Sequence, residues 1–452
     1  MKRVCFLILA VLMLSTCVLS SCGDDGDSSF VISNSTSEDI SDESVSSDVE
    51  SSNNDSSTTV SSEVENTSSE EAKDDLPENA VRLLFTRYTQ NPTFVMIGTC
   101  AQGAKVTATI GTESLTVDSY MGWFEMSFTK TGKSHRVTFT QEVDGVEVDE
   151  PRTYFAKPTE PPSSWTWAFG SNNAFQFFIE KMIEDFEGNN LYGNNVITGM
   201  TSRVKSRIEQ IREYNEDAEI IYMIVPSVLT TYPELAPDFL TKGSGQTRLD
   251  QVTDGLKKAG ATVIDLRNVF KLHKNDEMPL YYKLDSHWAD YGAYLGYKEL
   301  FDHISKKFPS AKPREVDEFK WTADYYISAD ACLYLGIEQE KVKEYAYYRE
   351  FDFEDVGNIT KVPRYRGMQL IYNDLTTEEK VFKTDRSELP SCVVYRDSYC
   401  AGIYDILPER MNNTHYIGMW NYAWQKNLMQ TEKPDYVIYL IAEWNMDEIV
   451  YN

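Results

Sequence analysis

The stretch EIIYMIVP at residues 219–226 decides the fold class of this 452-residue chain. It is a continuous run of large apolar residues that ends at a proline, which is typical of a strand buried on both faces of a sheet. Comparable short apolar runs lie at residues 261–266, 391–395 and 436–442. Strands of this kind occur in parallel sheets, where helices cover both faces and exclude water.

Helical patterns separate these apolar runs. Residues 200–214 and 248–259 have helical patterns, and residues 289–308 carry apolar side chains at helical spacing. Buried strands that alternate with helices predict an α/β domain, with a parallel sheet covered by helices, over residues 161–452. Ligands of such folds bind beyond the carboxyl ends of the strands, so the polar residues that follow each run are candidate site residues.

Residues 79–160 show a different pattern, in which branched and aromatic residues alternate with polar ones between glycine-containing turns. This pattern predicts a small all-β sandwich with strands at 81–88, 93–98, 105–109, 113–117, 123–128 and 135–141. The stretch 98–106 resembles the start of bacterial Ig-like surface modules. Such a module is a spacer or a weak glycan-contact module, and the spacer is favoured. The prolines at 158, 161 and 162 mark a stiff boundary to the α/β domain.

The first residues have the pattern of an export signal. A basic start, Lys2-Arg3, precedes an apolar run at 4–18, and Leu19-Ser20-Ser21-Cys22 resembles the bacterial lipobox. The resemblance implies a signal peptide over 1–21, a lipid anchor on Cys22 and an extracytoplasmic, membrane-attached protein. A plain transmembrane anchor is the alternative, although the run is shorter than the roughly 18 residues that a span requires. Residues 22–78 are acidic and serine-rich, which predicts a disordered tether.

Composition argues against several function classes. The formal net charge of −28 disfavours binding to nucleic acid, because phosphate backbones would be repelled. The cysteines and histidines are scattered and show no metal-ligand spacing, so neither a metal nor another cofactor is expected.

Two motifs could carry chemistry. In Asp285-Ser286-His287-Trp288, a carboxylate two residues from an imidazole can fix its tautomer and leave the other ring nitrogen as a base. In Arg396-Asp397-Ser398-Tyr399, a serine follows the end of a predicted strand and needs such a base to become a nucleophile. Either motif alone is more often a surface loop or a helix cap than a catalytic site. Their occurrence together in one α/β domain favours catalysis.

The first motif resembles the D-x-H-W signature of the DHHW family and of the alginate O-acetylation proteins, which are SGNH-hydrolase-like. The second motif resembles their nucleophile segment, and the likeness extends over residues 165–452. It implies an SGNH-like fold, with Ser398 as the nucleophile, His287 as the base and Asp285 as its orienting residue. Two positions depart from the pattern. Ser286 occupies the first family histidine position, and Arg396 stands where the wider superfamily has glycine.

The resemblance implies that the protein O-acetylates an exopolysaccharide or wall glycan through an acyl-serine intermediate. A membrane-bound O-acyltransferase would then donate the acetyl group. An acetylesterase with the same triad is the closest alternative, and a non-catalytic glycan-binding lipoprotein or a transporter's solute-binding lipoprotein are alternatives of other classes. Candidate substrate contacts are Arg396, Tyr399, Trp288 and Asn421, with Asn421 also a candidate oxyanion donor. For Arg396, a structural salt bridge is the favoured alternative.

Overall fold

The computed structural model of the chain describes residues 76–77, 79–88, 93–119, 122–129, 134–157, 167–169, 177–236, 240–327, 330, 343–350 and 368–452. All of them belong to one compact unit, Ser68–Asn452. The predicted signal peptide, Cys22 and nearly all of the predicted tether lie outside the described residues, as do the three prolines of the predicted domain boundary.

The described residues between 82 and 156 form two antiparallel sheets that share one apolar core. One sheet has the order β1-β2-β5 and the other β4-β3-β6-β7, with β8 paired to β6. Alternating burial along β3 directs Val106 and Ala108 into this core, where they join Phe94 and Phe124 from the other sheet. All of the predicted strands are present. Their bounds are β1 (Arg82–Tyr88), β2 (Thr93–Thr99), β3 (Lys105–Ile110), β4 (Glu113–Asp118), β5 (Trp123–Thr129), β6 (His135–Val143), β7 (Val146–Glu147) and β8 (Arg152–Ala156).

The remaining described residues form the predicted α/β fold. Its helices are α1 (Glu180–Glu187), α2 (Asn194–Tyr214), α3 (Val228–Thr231), α4 (Arg248–Ala259), α5 (Arg267–His273), α6 (Asp290–Ile304), α7 (Lys426–Glu432) and α8 (Asp447–Tyr451). Its strands are β9 (Trp167–Phe169), β10 (Phe177–Ile179), β11 (Glu219–Val225), β12 (Thr262–Asp265), β13 (Lys320–Ile327), β14 (Lys343–Glu350), β15 (Met368–Asn373), β16 (Lys380–Thr384), β17 (Ser391–Arg396), β18 (Asn413–Tyr416) and β19 (Tyr436–Ala442).

A seven-stranded sheet organises this fold, in the order β12-β11-β19-β17-β18-β16-β15. The pairs from β12 to β18 are parallel, whereas β16 pairs antiparallel with β18 and β15 antiparallel with β16. The predicted parallel sheet is therefore confirmed at its centre and is mixed at one edge. Strands β15 and β16 lack the continuous apolar run that marks a strand buried on both faces, so the sequence pattern did not single them out.

Both faces of the sheet are buried, as the apolar runs predict. On one face, Tyr222 and Tyr395 stack on either side of Tyr439, with ring centroids 4.6 Å apart in each pair, and α2 and α4 cover them. On the other face, residues such as Met223 and Leu440 pack beneath α6. The sheet is thus a rigid support whose strand ends define fixed positions for side chains.

The all-β region packs on the α/β region. Ile97 and Trp123, from β2 and β5, belong to the same buried apolar cluster as Phe178 and Met182, from β10 and α1. Within the described residues, no helix combines the length and the apolar character that crossing a membrane requires.

A close backbone approach sets α6 against the chain that precedes it. A Cβ on Gly292, in the first turn of α6, would lie 2.3 Å from the carbonyl oxygen of Leu280, an oxygen that accepts a hydrogen bond from the Ala289 amide. Only glycine therefore lets the helix begin at this point, directly after the Asp285–His287 motif.

We predict that Gly292→Ala lowers the free energy of unfolding by about 2 kcal/mol, because the new methyl group displaces backbone rather than a flexible side chain. Gly199→Ala in α2 is the matched control, since its Cβ would meet only the Arg203 side chain at 3.5 Å. That control should be neutral or stabilise by about 0.5–1 kcal/mol. Urea denaturation measures both variants, and equal stabilities would contradict the close approach.

Candidate active site

Ser398 is presented at the carboxyl end of the central strand β17. Asp397 follows the strand in an extended conformation, and its side chain accepts a hydrogen bond from the Tyr399 amide at 2.9 Å. This cap starts the 3₁₀ helix Ser398–Ile403, so that Ser398 occupies its first position. The strand end and the cap together fix the backbone that carries the hydroxyl group.

The structure brings Ser398, His287 and Asp285 together. Ser398 Oγ lies 2.7 Å from His287 Nε2, and His287 Nδ1 lies 2.6 Å from Asp285 Oδ1. The same carboxylate oxygen accepts a hydrogen bond from the His287 amide at 2.9 Å. In the neutral imidazole, Nδ1–H donates to this carboxylate, which leaves Nε2 to accept from the serine hydroxyl. The three residues have the connectivity of a serine–histidine–aspartate relay.

Trp288 and Tyr399 were predicted as substrate contacts. In the structure, both side chains are buried and pack behind the three relay residues. Trp288 is 2% exposed, and its indole N–H donates to the Tyr399 carbonyl oxygen at 2.7 Å. The fully buried Tyr399 donates its hydroxyl group to the Ser286 carbonyl oxygen, and its ring lies 4.9 Å from the His287 ring. These aromatic residues therefore join the loop that carries the histidine to the turn that carries the serine.

Arg396 and Asn421 were also predicted as substrate contacts. In the structure, each of them bonds to other parts of the protein. Arg396 is 3% exposed, donates to the Glu378 carbonyl oxygen at 2.8 Å and lies 5.1 Å from the Tyr404 ring. Its guanidinium also pairs with the Glu378 carboxylate at 3.4 Å, which is the structural role favoured for Arg396 from the sequence. Asn421 is exposed in the loop after β18, where its side-chain oxygen accepts from the Ala423 amide at 3.3 Å.

A comparison with protein families finds a match, and the matched segment includes two of the three relay residues. Residues 195–347 match the family model described as the SGNH hydrolase-like domain of the acetyltransferase AlgX. The chain contains an SGNH hydrolase-like domain. The matched segment includes Asp285 and His287 and ends before Ser398, so the serine is assigned to the site by the structure's distances and by its own motif.

Three solved structures are similar to this chain at low identity. Bacillus cereus PatB1 is 17% identical, covering 56% of this chain and 92% of that chain, with a TM-score of 0.43. A DHHW family protein from Eubacterium siraeum is 12% identical, covering 70% and 95%, with a TM-score of 0.40. The O-acetyltransferase domain of Pseudomonas putida AlgJ is 11% identical, covering 63% and 92%, with a TM-score of 0.39. A comparison with curated proteins finds no match.

The charged groups near His287 that shift its pKa are all carboxylates. Burial lowers the pKa of His287, but the adjoining Asp285 carboxylate, Asp330 and Asp397 raise it, and the balance places it at about 9. The imidazolium that forms when a base accepts a proton is thus stabilised by nearby carboxylates. The histidine side chain keeps 28% of its surface exposed, so the site remains open to a reactant.

Three carboxylates around the relay were not assigned from the sequence. Asp397, next to Ser398, is fully buried and accepts from the Ala442 amide at 2.8 Å, and burial raises its pKa to about 6. Glu344, on β14, accepts from the amides of Lys283 and Leu284 at 2.7 and 3.1 Å, and burial raises its pKa to about 7. Asp330 lies beside Ser286. Only Asp397 could have been found from its position in a motif.

Asp285, His287 and Asp330 also have ligand atoms within 4.8 Å of one another, which is close enough to share a metal ion. Those atoms already form hydrogen bonds with one another and with neighbouring residues. His287 Nδ1 is bonded to Asp285, Nε2 to Ser398, and Asp330 Oδ2 accepts from the Ser286 amide at 2.9 Å. The donor set is therefore explained by hydrogen bonds, and we assign no metal to it.

We predict that Asp397→Asn destabilises the domain by about 1–3 kcal/mol, because one carboxylate oxygen that accepts from Ala442 or Tyr399 becomes an NH₂ group facing an N–H donor. Thermal unfolding measures the change.

The control is Asp374→Asn in an exposed turn. Asp374 accepts from the Thr376 amide and from the Thr377 hydroxyl, and a hydroxyl can also accept from an amide. That variant should change stability by less than about 0.5 kcal/mol. An Asp397→Asn variant as stable as this control would contradict the role of Asp397 as the acceptor that fixes the serine turn.

Proposed function

We propose that the protein is a serine O-acetyltransferase that modifies a surface glycan through an acetyl-serine intermediate. The observation that carries this proposal is the continuous relay from Ser398 Oγ through His287 to Asp285, at 2.7 and 2.6 Å, on an SGNH hydrolase-like domain. A histidine that accepts the serine proton, oriented by an aspartate that stabilises the imidazolium, activates a serine hydroxyl for acyl transfer.

In the first half-reaction, Ser398 Oγ attacks the carbonyl carbon of an acetyl donor while its proton moves to His287 Nε2. The tetrahedral intermediate then collapses, the bond to the donor's leaving group breaks, and that group takes the proton from Nε2. In the second half-reaction, a sugar hydroxyl gives its proton to Nε2 and attacks the acetyl-serine. The Ser398–acetyl bond breaks, and Ser398 recovers the proton. Asp285 stabilises the imidazolium in both halves.

The developing oxyanion requires donors that are not already used. The Tyr399 amide is bonded to Asp397 at 2.9 Å. The Ser398 amide, at the first position of the 3₁₀ helix, is therefore our candidate for one oxyanion donor. This assignment replaces Asn421, which the sequence had offered as an oxyanion donor.

The setting of the reaction follows from the sequence features outside the described residues. With a lipid on Cys22 and an acidic tether, the domain would act outside the cytoplasm at a membrane surface. The acceptor would be a surface polysaccharide or wall glycan, and the donor a membrane-bound O-acyltransferase. An esterase would use water in place of the sugar hydroxyl and pass through the same acetyl-serine, so analysis of the products separates the two activities.

We predict that Ser398→Ala and His287→Ala each lower the rate of acetyl transfer from a nitrophenyl acetate ester by about 10³-fold or more. Mass spectrometry should show an added acetyl group on the wild-type chain and none on Ser398→Ala.

The matched controls are Ser391→Ala, at the opposite end of the same strand, and His303→Ala, whose imidazole pairs with Glu219 at 3.0 Å. Both should retain wild-type activity. Activity that survives in Ser398→Ala would refute the serine mechanism, and a glycan acceptor that increases product formation over water would favour the transferase over the esterase.

We further predict that kcat/KM rises with pH up to about 9. Below the His287 pKa of about 9 the imidazolium predominates, and its Nε2 already holds a proton. Raising the pH increases the neutral fraction that can accept the serine proton. The measurement is a pH–rate profile corrected for spontaneous ester hydrolysis. A rate that is independent of pH between 6 and 9 would contradict the proposed base.

A further inference from the structure

The peptide between the two relay residues Asp285 and His287 is held from outside its own loop. Asp330 is 44 residues further along the chain, yet its Oδ2 atom accepts from the Ser286 amide at 2.9 Å and also from the Ser286 hydroxyl. The Ser286 carbonyl oxygen, at the other end of the same residue, accepts from the Tyr399 hydroxyl. Every polar group of Ser286 is thus bonded, and rotation of this residue would move His287.

The same carboxylate lies beside the imidazole. Asp330 Oδ2 is 4.0 Å from His287 Nδ1, whereas Asp285 Oδ1 is at 2.6 Å and takes the hydrogen bond. One ring nitrogen therefore has two carboxylates within reach, one as hydrogen-bond partner and one as a second negative charge. The Asp330 side chain is 24% exposed, so solvent screens its charge only in part.

Strands β13 and β14 pair with each other in a hairpin and precede and follow Asp330 along the chain. Strand β14 contacts both the loop that carries His287 and the turn that carries Ser398. On β14, Glu344 binds the amides of Lys283 and Leu284 just before the relay aspartate. Further along the same strand, Arg349 donates to the Gly402 carbonyl oxygen at 2.8 Å and to Asp405 at 3.0 Å. The hairpin thereby contacts the histidine loop and the 3₁₀ helix that begins at Ser398.

We propose that Asp330 is a positioning residue for the reaction, which fixes the histidine loop through Ser286 and adds a second negative charge beside the imidazolium. For its kinetic consequences this inference rests on the proposed function. Its electrostatic consequence can be measured without turnover.

The charged groups that face His287 come from three elements: Asp285 from its own loop, Asp330 from beyond β13, and Asp397 from the serine turn. Burial raises the pKa of Asp330, as does the charge of Asp285, while the positive charge of His287 and the two hydrogen bonds from Ser286 oppose this. Removing the Asp330 charge should therefore lower the pKa of His287, since one of the groups that favour the imidazolium is lost.

The first experiment titrates His287 by NMR in the full chain, with the resonance assigned by its absence in His287→Asn. Asp330→Asn should lower the His287 pKa by about one unit and move the acidic limb of kcat/KM to lower pH by the same amount. The control is Glu350→Gln at the opposite end of the hairpin, where Glu350 pairs with Lys320 at 3.0 Å. It should leave both midpoints unchanged.

Two further variants separate charge from position. Ser286→Ala keeps the amide and the Asp330 charge but loses the hydroxyl, so kcat should fall several-fold while the pH midpoint stays at its wild-type value. Asp330→Glu restores the charge and should return the midpoint toward wild type. Asp330→Ser provides a second uncharged variant if Asp330→Asn is unstable.

A His287 pKa that is the same in wild type, Asp330→Asn and Asp330→Ser would overturn the inference, even if acyl transfer is observed. A shifted pKa in a chain that shows no acyl transfer would support the placement of Asp330 beside the imidazole and would refute the proposed function instead. In Asp330→Asn, kcat could fall while the NMR pKa of His287 and the acidic limb of kcat/KM stay unchanged. That result would show that Asp330 acts only on structure and would overturn its proposed charge effect on His287.

Discussion

The Asp397 carboxylate joins the ends of the two central strands, and the rest of the site depends on this connection. One oxygen accepts from Tyr399 just after β17, and the other accepts from Ala442 at the end of β19. Because β17 and β19 are parallel neighbours, their carboxyl ends meet at the same edge of the sheet. By bonding to both strand ends, the carboxylate fixes the position of Ser398 relative to the sheet. Full burial of this carboxylate raises its pKa, and the hydrogen bonds from the Ala442 and Tyr399 amides oppose that effect of desolvation.

The histidine loop reaches the serine through aromatic packing rather than through the sheet. Trp288 and Tyr399 each donate a hydrogen bond across the contact between the loop and the serine turn, and the Tyr399 ring lies against His287. Aromatic side chains suit this role because they bury a large apolar surface and still carry one polar group that specifies orientation. Because these rings are buried, a reactant on the open side of His287 would contact other residues.

The relay is surrounded by acidic groups. Asp285 binds the imidazole, Asp330 lies 4.0 Å away, and Glu344 holds the backbone that precedes them. Negative charge around His287 favours the imidazolium, which would help proton transfer from serine in the proposed reaction but also raises the pH at which the neutral ring predominates. The balance between these effects defines the range of pH in which such a site can act, and part of that balance comes from a hairpin outside both motifs.

The sequence by itself determined the α/β class and the positions of the main strands along the chain, and it predicted the three relay residues. A continuous apolar run such as Tyr436–Ala442 is typical of a strand in a sheet covered on both faces, and the two motifs were identified from their residue types and from their resemblance to a known family. Only the tertiary structure decided the roles of Asp330, Glu344, Trp288 and Arg396. Their partners are distant along the chain, as in the contact of Asp330 with Ser286, and a side chain's burial depends on which strands become neighbours. A linear pattern contains the periodicity of each element, whereas contacts between elements appear only when the chain is folded.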